Sequence, residues 1–188
     1  MMIYEIVTAC NEFNMRDTVK MKYVVVEEYD PAWENEFHKI EGELFSVIAG
    51  KVLSIEHVGS TSVKGLVAKP FIDIDVVIDD TFDEVKSLLE SIGYHHEGDL
   101  GILGRDAFKY EGKPHLMMHH LYVCKRDTEE LRRNIIFRNY LREHPDVRDR
   151  YGAVKKELAL QYADDRDSYI AGKGPVIDEI YRMCGLIR

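Results

Sequence analysis

The sequence predicts an α+β fold: a mixed β-sheet with flanking helices, followed by a helical C-terminal segment. Three observations carry this. Trp33, Phe37, Ile40, Leu44 and Ile48 recur at helical spacing, whereas 52–58 and 70–78 are short runs rich in β-branched residues. After Cys124 the pattern turns from strand-like to helical. At 188 residues the chain suits one domain, expected over 21–188, with an extension over 1–20.

The elements follow in order. Residues 1–20 show no clear period, and a strand-like run covers 22–27. Asp30-Pro31 reads as an N-cap followed by proline at the first helical position, opening a helix that closes at Gly50. The strand over 52–58 is interrupted by Gly59-Ser60-Thr61-Ser62, and the next spans 70–78. A helix from about 83 to 92 closes at Gly93. Two extended segments, roughly 101–111 and 116–124, flank Glu111-Gly112-Lys113-Pro114, whose turn composition predicts a hairpin. The sheet-containing part thus covers about 21–124 and the helical part about 125–188. Within the latter, Asp127 with Glu130 resembles a capping box, and Pro145 breaks the helical run. Val147, Tyr151, Val154, Leu158 and Tyr162 resume it, and a last helix is expected over about 175–184.

Charge and cysteine usage narrow the partners. A net charge of −9 argues against broad nucleic-acid binding and against anionic membranes. The charge is uneven: residues 1–124 carry 11 basic and 22 acidic side chains, whereas 125–188 carry 14 and 12. An anion-binding surface is therefore expected to draw on the C-terminal part. No apolar run approaches the ~18–20 residues that span a bilayer, and no secretory leader is expected. Cys10, Cys124 and Cys184 are widely spaced and unpaired in motif, which predicts reduced thiols in a cytoplasmic protein and excludes a cysteine zinc site. Oligomeric state is not legible.

The chemistry concentrates in Glu56-His57-Val58-Gly59-Ser60 and Phe71-Ile72-Asp73-Ile74-Asp75-Val76. On a strand, Asp73 and Asp75 share one face while Ile72, Ile74 and Val76 take the other. Two neighbouring carboxylates repel, and a divalent cation removes the conflict; oxygen-ligated Mg²⁺ suits paired carboxylates plus substrate phosphates. Gly59-Ser60, coming directly off a strand, offers backbone N–H groups and a hydroxyl to phosphate oxygens. Either feature alone is ordinary. In this order, with 12 residues between Ser60 and Asp73, they resemble the nucleotidyltransferase superfamily that includes polymerase β.

Neighbouring residues sharpen the resemblance. Tyr29-Asp30-Pro31-Ala32-Trp33, the run from Glu56 to Leu66, and Ala68-Lys69-Pro70-Phe71-Ile72-Asp73-Ile74-Asp75 are similar to the GrpB (UPF0157) family. So are His119-His120-Leu121-Tyr122-Val123, Phe137-Arg138-Asn139-Tyr140-Leu141-Arg142, and Tyr151 with Lys155, so that the match runs from about 23 to 182. The resemblance implies a nucleotidyltransferase-like fold, Asp73 and Asp75 as catalytic metal ligands, and Gly59, Ser60 and Ser62 beside a nucleoside triphosphate. Members of the family also occur fused to dephospho-CoA kinase, which implies a folding-accessory alternative. Active transferases generally add a third carboxylate from a neighbouring strand, but Leu116 to Val123 holds no acid. His120 is expected there as a third catalytic residue; imidazole ligates Mg²⁺ poorly, and Mn²⁺ better.

Lys69 and Arg105 are expected to meet triphosphate charge, as is Arg138 from the C-terminal helices. Six histidines within 57–120 suggest a metal-dependent hydrolase as a further alternative, although their turn and strand positions lack helical ligand geometry. His57 is expected to be a hydrogen-bonded structural residue behind the Gly-Ser turn. No GxxxxGK[ST] loop occurs. The function expected is thus nucleotide and Mg²⁺ binding, with nucleotidyl transfer to an unknown acceptor. The alternatives are a noncatalytic nucleotide-sensing or folding-accessory module and the hydrolase.

Overall fold

The computed structural model describes residues 24–187; the extension expected over 1–20 lies outside them. Helix α1 (Ala32–Ile48) starts where the Asp30 carboxylate accepts the Ala32 N–H at 2.8 Å. It buries Trp33, Phe37, Ile40, Leu44 and Ile48, the residues its spacing singles out. Then come β1 (Ser54–Val58), a 3-10 turn (Ser60–Ser62), β2 (Ile72–Ile78), α2 (Phe82–Ser91), β3 (Tyr94–Gly98), β4 (Arg105–Tyr110) and β5 (His119–Lys125). Four helices follow: α3 (Glu129–Glu143), α4 (Pro145–Gln161), α5 (Arg166–Gly172) and α6 (Gly174–Met183).

The sheet order is β1-β2-β5-β4-β3. Only β2 and β5 run parallel, so the sheet is mixed and the fold α+β, as the sequence predicts. Ile72, Ile74 and Val76 of β2 join Leu121 and Val123 of β5 in the core beneath α1 and α2. Each such aliphatic side chain stabilises the fold by roughly 1.5–3 kcal/mol on burial. The opposite face is covered unevenly. Leu131 of α3 packs on Val77 and Cys124, while Val63 and Leu66, beyond the turn, pack with Leu141, Val147, Tyr151, Val176 and Ile180. The start of β2 therefore faces the C-terminal helices with polar residues rather than apolar ones.

The expected hairpin forms: β4 and β5 pair antiparallel, with Arg105 opposite Cys124 and Phe108 opposite Leu121. Its first strand begins four residues late, because Gly101 and Gly104 both take left-handed backbone. Other expectations are corrected. The strand-like run at 22–27 shrinks, within the described residues, to one bridge between Glu27 and Ala68. The capping box at Asp127 and Glu130 is not made. Thr128 is the N-cap residue and donates its hydroxyl to Lys125 O, while Glu130 pairs with Arg105. Two elements escape the pattern. In β3 only Tyr94 is fully buried, so there is no alternation to read, and α5 is too short to show a period. Among the described residues, no helix is long and apolar enough to cross a membrane.

Candidate functional site

Where β1 ends, Gly59 takes φ 69°, ψ −172°, a region that is essentially glycine-only. This bends the chain into the 3-10 turn, closed by Val63 N–H to Ser60 O (3.2 Å) and by the Ser62 hydroxyl donating to Gly59 O (2.6 Å). The turn is tied to β2 by Thr61, whose hydroxyl donates to Phe71 O at 3.0 Å. That proton being committed, His57 Nε2, 3.1 Å away, must donate to Thr61 Oγ1, which fixes its tautomer. The ring also stacks on Phe37 at 4.7 Å, and burial pushes its pKa down to about 4. His57 is thus a neutral buttress behind the turn.

The turn and the acidic strand meet directly. A side chain at Gly59 would place its Cβ 2.1 Å from Asp73 Oδ2. Across the sheet, Asp73 stands opposite Val58 on β1 and His120 on β5, and Asp75 opposite Glu56 and Tyr122. These six side chains share one face. His120 Nδ1 lies 3.0 Å from Asp73 Oδ1, so β5 contributes an imidazole at the position flanking the first aspartate. Asp75 is fully buried, and Asn134 of α3 donates to its Oδ2 at 2.9 Å while its Oδ1 has no partner. Burial, aided by Asp73, pushes the Asp75 carboxyl up to about 6. An unpartnered buried carboxylate oxygen beside a second carboxylate fits a divalent cation, which would satisfy the lone pair and offset the desolvated charge.

The C-terminal helices supply two cations, and the loop before β2 a third. Lys155 of α4 is buried, donates to Val67 O, and is pushed down to about 7 by burial and by neighbouring Lys173. Lys173 and Lys69 lie over the Tyr169 ring at 4.7 and 5.5 Å; burial pulls both down, Lys173 further through Lys69 and Lys69 further through Arg166. The negative group acting on Lys155 and Lys173 is Asp73. Among the described residues none of the three lysines is in an ion pair, so a cationic cluster faces the acidic strand without carboxylates of its own. Tyr151, also buried, presents its hydroxyl to the Ser60 side chain.

The fold therefore brings together Gly59, Ser60, Ser62, Asp73, Asp75, His120 and Lys69. It does not bring Arg105 and Arg138 to the lysines. Arg105 lies behind Asp75, 4.2 Å over the Tyr122 ring and 3.3 Å from Glu130. Arg138 clamps the edge strand β1, donating to Glu56 and to His57 O at 2.9 Å each. The other histidines disperse: His96 to Asp106, His115 to Glu43, and His119 to Tyr94 and Met117 O. No group of three His, Cys, Asp or Glu suited to a metal exists among the described residues. The hydrolase reading thus lacks a cluster. Sequence reasoning missed Asn134, and it assigned no site role to Lys155, Lys173, Tyr151 or Tyr169. The positive C-terminal balance was the one available signal for the lysines.

Comparison with known proteins agrees with this architecture. The UPF0157 protein YqkA of Bacillus subtilis is 33% identical over 147 residues, 77% of this chain but 42% of YqkA, so the chain spans less than half of that relative. The crystal structure of GrpB from Enterococcus faecalis superposes with TM-score 0.72 at 35% identity, covering 85% of this chain and 98% of that one. Structures of the Cid1 poly(U) polymerase show a distant likeness of fold, with TM-score 0.46 and 13% identity over 69% of this chain and 44% of theirs. The family model described as GrpB protein matches residues 23–183, and the chain belongs to that family.

Proposed function

We propose that the protein binds a nucleoside triphosphate with a divalent cation, Mg²⁺ or Mn²⁺, and transfers the nucleotidyl group to a hydroxyl acceptor. The observation that carries the reading is the unpartnered, buried Asp75 Oδ1 beside Asp73, faced by lysines that have no carboxylate of their own. Asp73 and Asp75 would hold the cation, whose chemistry is to offset negative charge on phosphate oxygens. Lys69, Lys155 and Lys173 suit the β- and γ-phosphates, and Gly59 and Ser60 the oxygens nearest the turn. In the transfer, the acceptor oxygen bonds to the α-phosphorus and its proton passes to His120. The bond to the bridging oxygen breaks, and pyrophosphate departs with that electron pair.

Calorimetric titration of ATP, GTP, CTP and UTP, each with and without Mg²⁺ or Mn²⁺, tests this in wild type and Asp73→Asn. The expected result is metal-dependent binding that disappears in the variant. Equal affinity in both proteins would sink the reading.

One observation favours a noncatalytic nucleotide-sensing or folding-accessory module instead. β5 supplies no carboxylate beside the aspartates, and Glu56, the acid opposite Asp75, is engaged by Arg138. Nucleotide binding without pyrophosphate release in an acceptor screen would select that reading.

A further inference from the structure

We infer that the cleft beside His120 is the acceptor subsite, shaped for a small uncharged or cationic hydroxyl compound with a planar apolar body; this rests on the nucleotide reading above. The cleft has a volume of about 540 Å³, within the usual range of small-molecule sites. Phe71, Leu100, Ala107, Met118, His120 and Tyr122 line it. Ala107 and Tyr122 are register partners, and Tyr122 stands opposite Asp75, so the cleft opens on the sheet face that carries the aspartates. Its link to them is His120, stacked on Phe71 at 5.2 Å and bonded to Asp73 at 3.0 Å. A hydroxyl held here reaches Asp73 from β5, whereas Lys155 and Lys173 approach from the C-terminal helices.

Charge and exposed apolar surface define the occupant. At the rim, Glu97 and Glu111 outnumber Lys109, itself 3.8 Å from Glu97, so a nucleic-acid strand or a second polyphosphate would be repelled. Leu100 and Met118 leave 63% and 46% of their surface in water at the mouth. Leu100 does so at φ 48°, the one left-handed non-glycine among the described residues. Apolar groups held in water beside a stacked ring pair suit a ring that slides between them.

The test is an amide NMR titration of the full chain with tyramine and with 4-hydroxyphenylacetate, the same phenol carrying opposite charges. Wild type is compared with the double variant Leu100→Ser and Met118→Ser, whose sites are too exposed to threaten folding. Tyramine is expected to shift amides in 107–110 and 118–122 at millimolar concentration and to bind more tightly than the anion. In the variant its affinity should fall about fivefold, the loss expected for two apolar contacts, with Mg²⁺–ATP affinity unchanged. No shift in the cleft, or equal affinity for the anion, overturns the inference; if Mg²⁺–ATP still binds wild type, the nucleotide reading stands. Tyramine in the cleft of a protein that binds no nucleotide overturns the acceptor role and the nucleotide reading together.

Discussion

Gly59 and Asp73 occupy one space: a methyl group on the former would stand 2.1 Å from the carboxylate oxygen of the latter. The backbone that would meet a phosphate and the carboxylate that would hold its counter-ion are therefore a single unit. Gly59→Ala should push the Asp73 carboxylate aside and strain φ, lowering stability by about 2 kcal/mol. Metal-dependent nucleotide affinity should vanish. Thermal unfolding and calorimetry check both, and an alanine variant with wild-type affinity would separate turn from strand.

In the proposed reading, Asp75 sets stability against metal binding. Ionised above its folded pKa of about 6, it imposes a penalty on the order of 3 kcal/mol relative to its ordinary value. Asp75→Asn keeps the Asn134 contact and removes the charge. The variant should melt higher than wild type at neutral pH while losing its stabilisation by Mg²⁺ with ATP. A lower melting temperature would mean that the charge is already compensated within the protein.

Lys155 is held by burial rather than by an acid. Lys155→Met keeps the packing length; removing a desolvated charge offsets the loss of its bond to Val67 O, so stability should stay within about 1 kcal/mol while affinity for the triphosphate drops at least ~10-fold, the worth of one charge-assisted contact. Affinity for the nucleoside monophosphate should change less. An equal loss for both nucleotides would move the lysine away from the β- and γ-phosphates.

Arg138 gives the opposite pattern. Besides the exposed Asn139 amide, its partners are Glu56 and the His57 carbonyl, so Arg138→Leu leaves a half-buried carboxylate and a carbonyl unpaired, lowering stability by roughly 2 kcal/mol. Nucleotide affinity should remain within about twofold. A large affinity loss in a stable protein would return Arg138 to the phosphate set.

The pH dependence has a definite sign. His57 and His119 are held neutral, with pKa values near 4 from burial, so both gain protons on unfolding between pH 4 and their ordinary 6.5. Stability from them is complete above pH 6.5 and falls as pH drops. Asp75 opposes this between 3.8 and about 6, where it is protonated in the fold and ionised in the unfolded chain. Near pH 5 the balance is about one proton, so stability should rise with pH there. His57→Gln leaves one histidine against one aspartate and should flatten the slope. Urea unfolding at several pH values measures it, and an unchanged slope would place the proton elsewhere.

Local chemistry made much of this legible. Helix α1 is written in five apolar residues, and β2 in alternation that places both aspartates on one face, because 3.6- and 2-residue periods project directly from sequence. The Gly-Ser turn and the Asp-x-Asp strand are likewise short-range signals. What Arg138 and Lys155 touch is not: each is a cation on an amphipathic helix, and nothing local distinguishes a clamp on β1 from a charge buried before Asp73.

Periodicity and backbone freedom write into the sequence an α+β fold with two aspartates on one strand face behind a glycine turn. Tertiary structure alone decided that β5 runs parallel beside β2 and brings His120 to Asp73, and that Asn134 leaves one oxygen of Asp75 unpaired. It also decided that α4 and the α5–α6 junction turn lysines toward that strand. The physical reason is range: strand pairing and helix docking are set by burial summed over residues far apart in the chain, which no local pattern encodes.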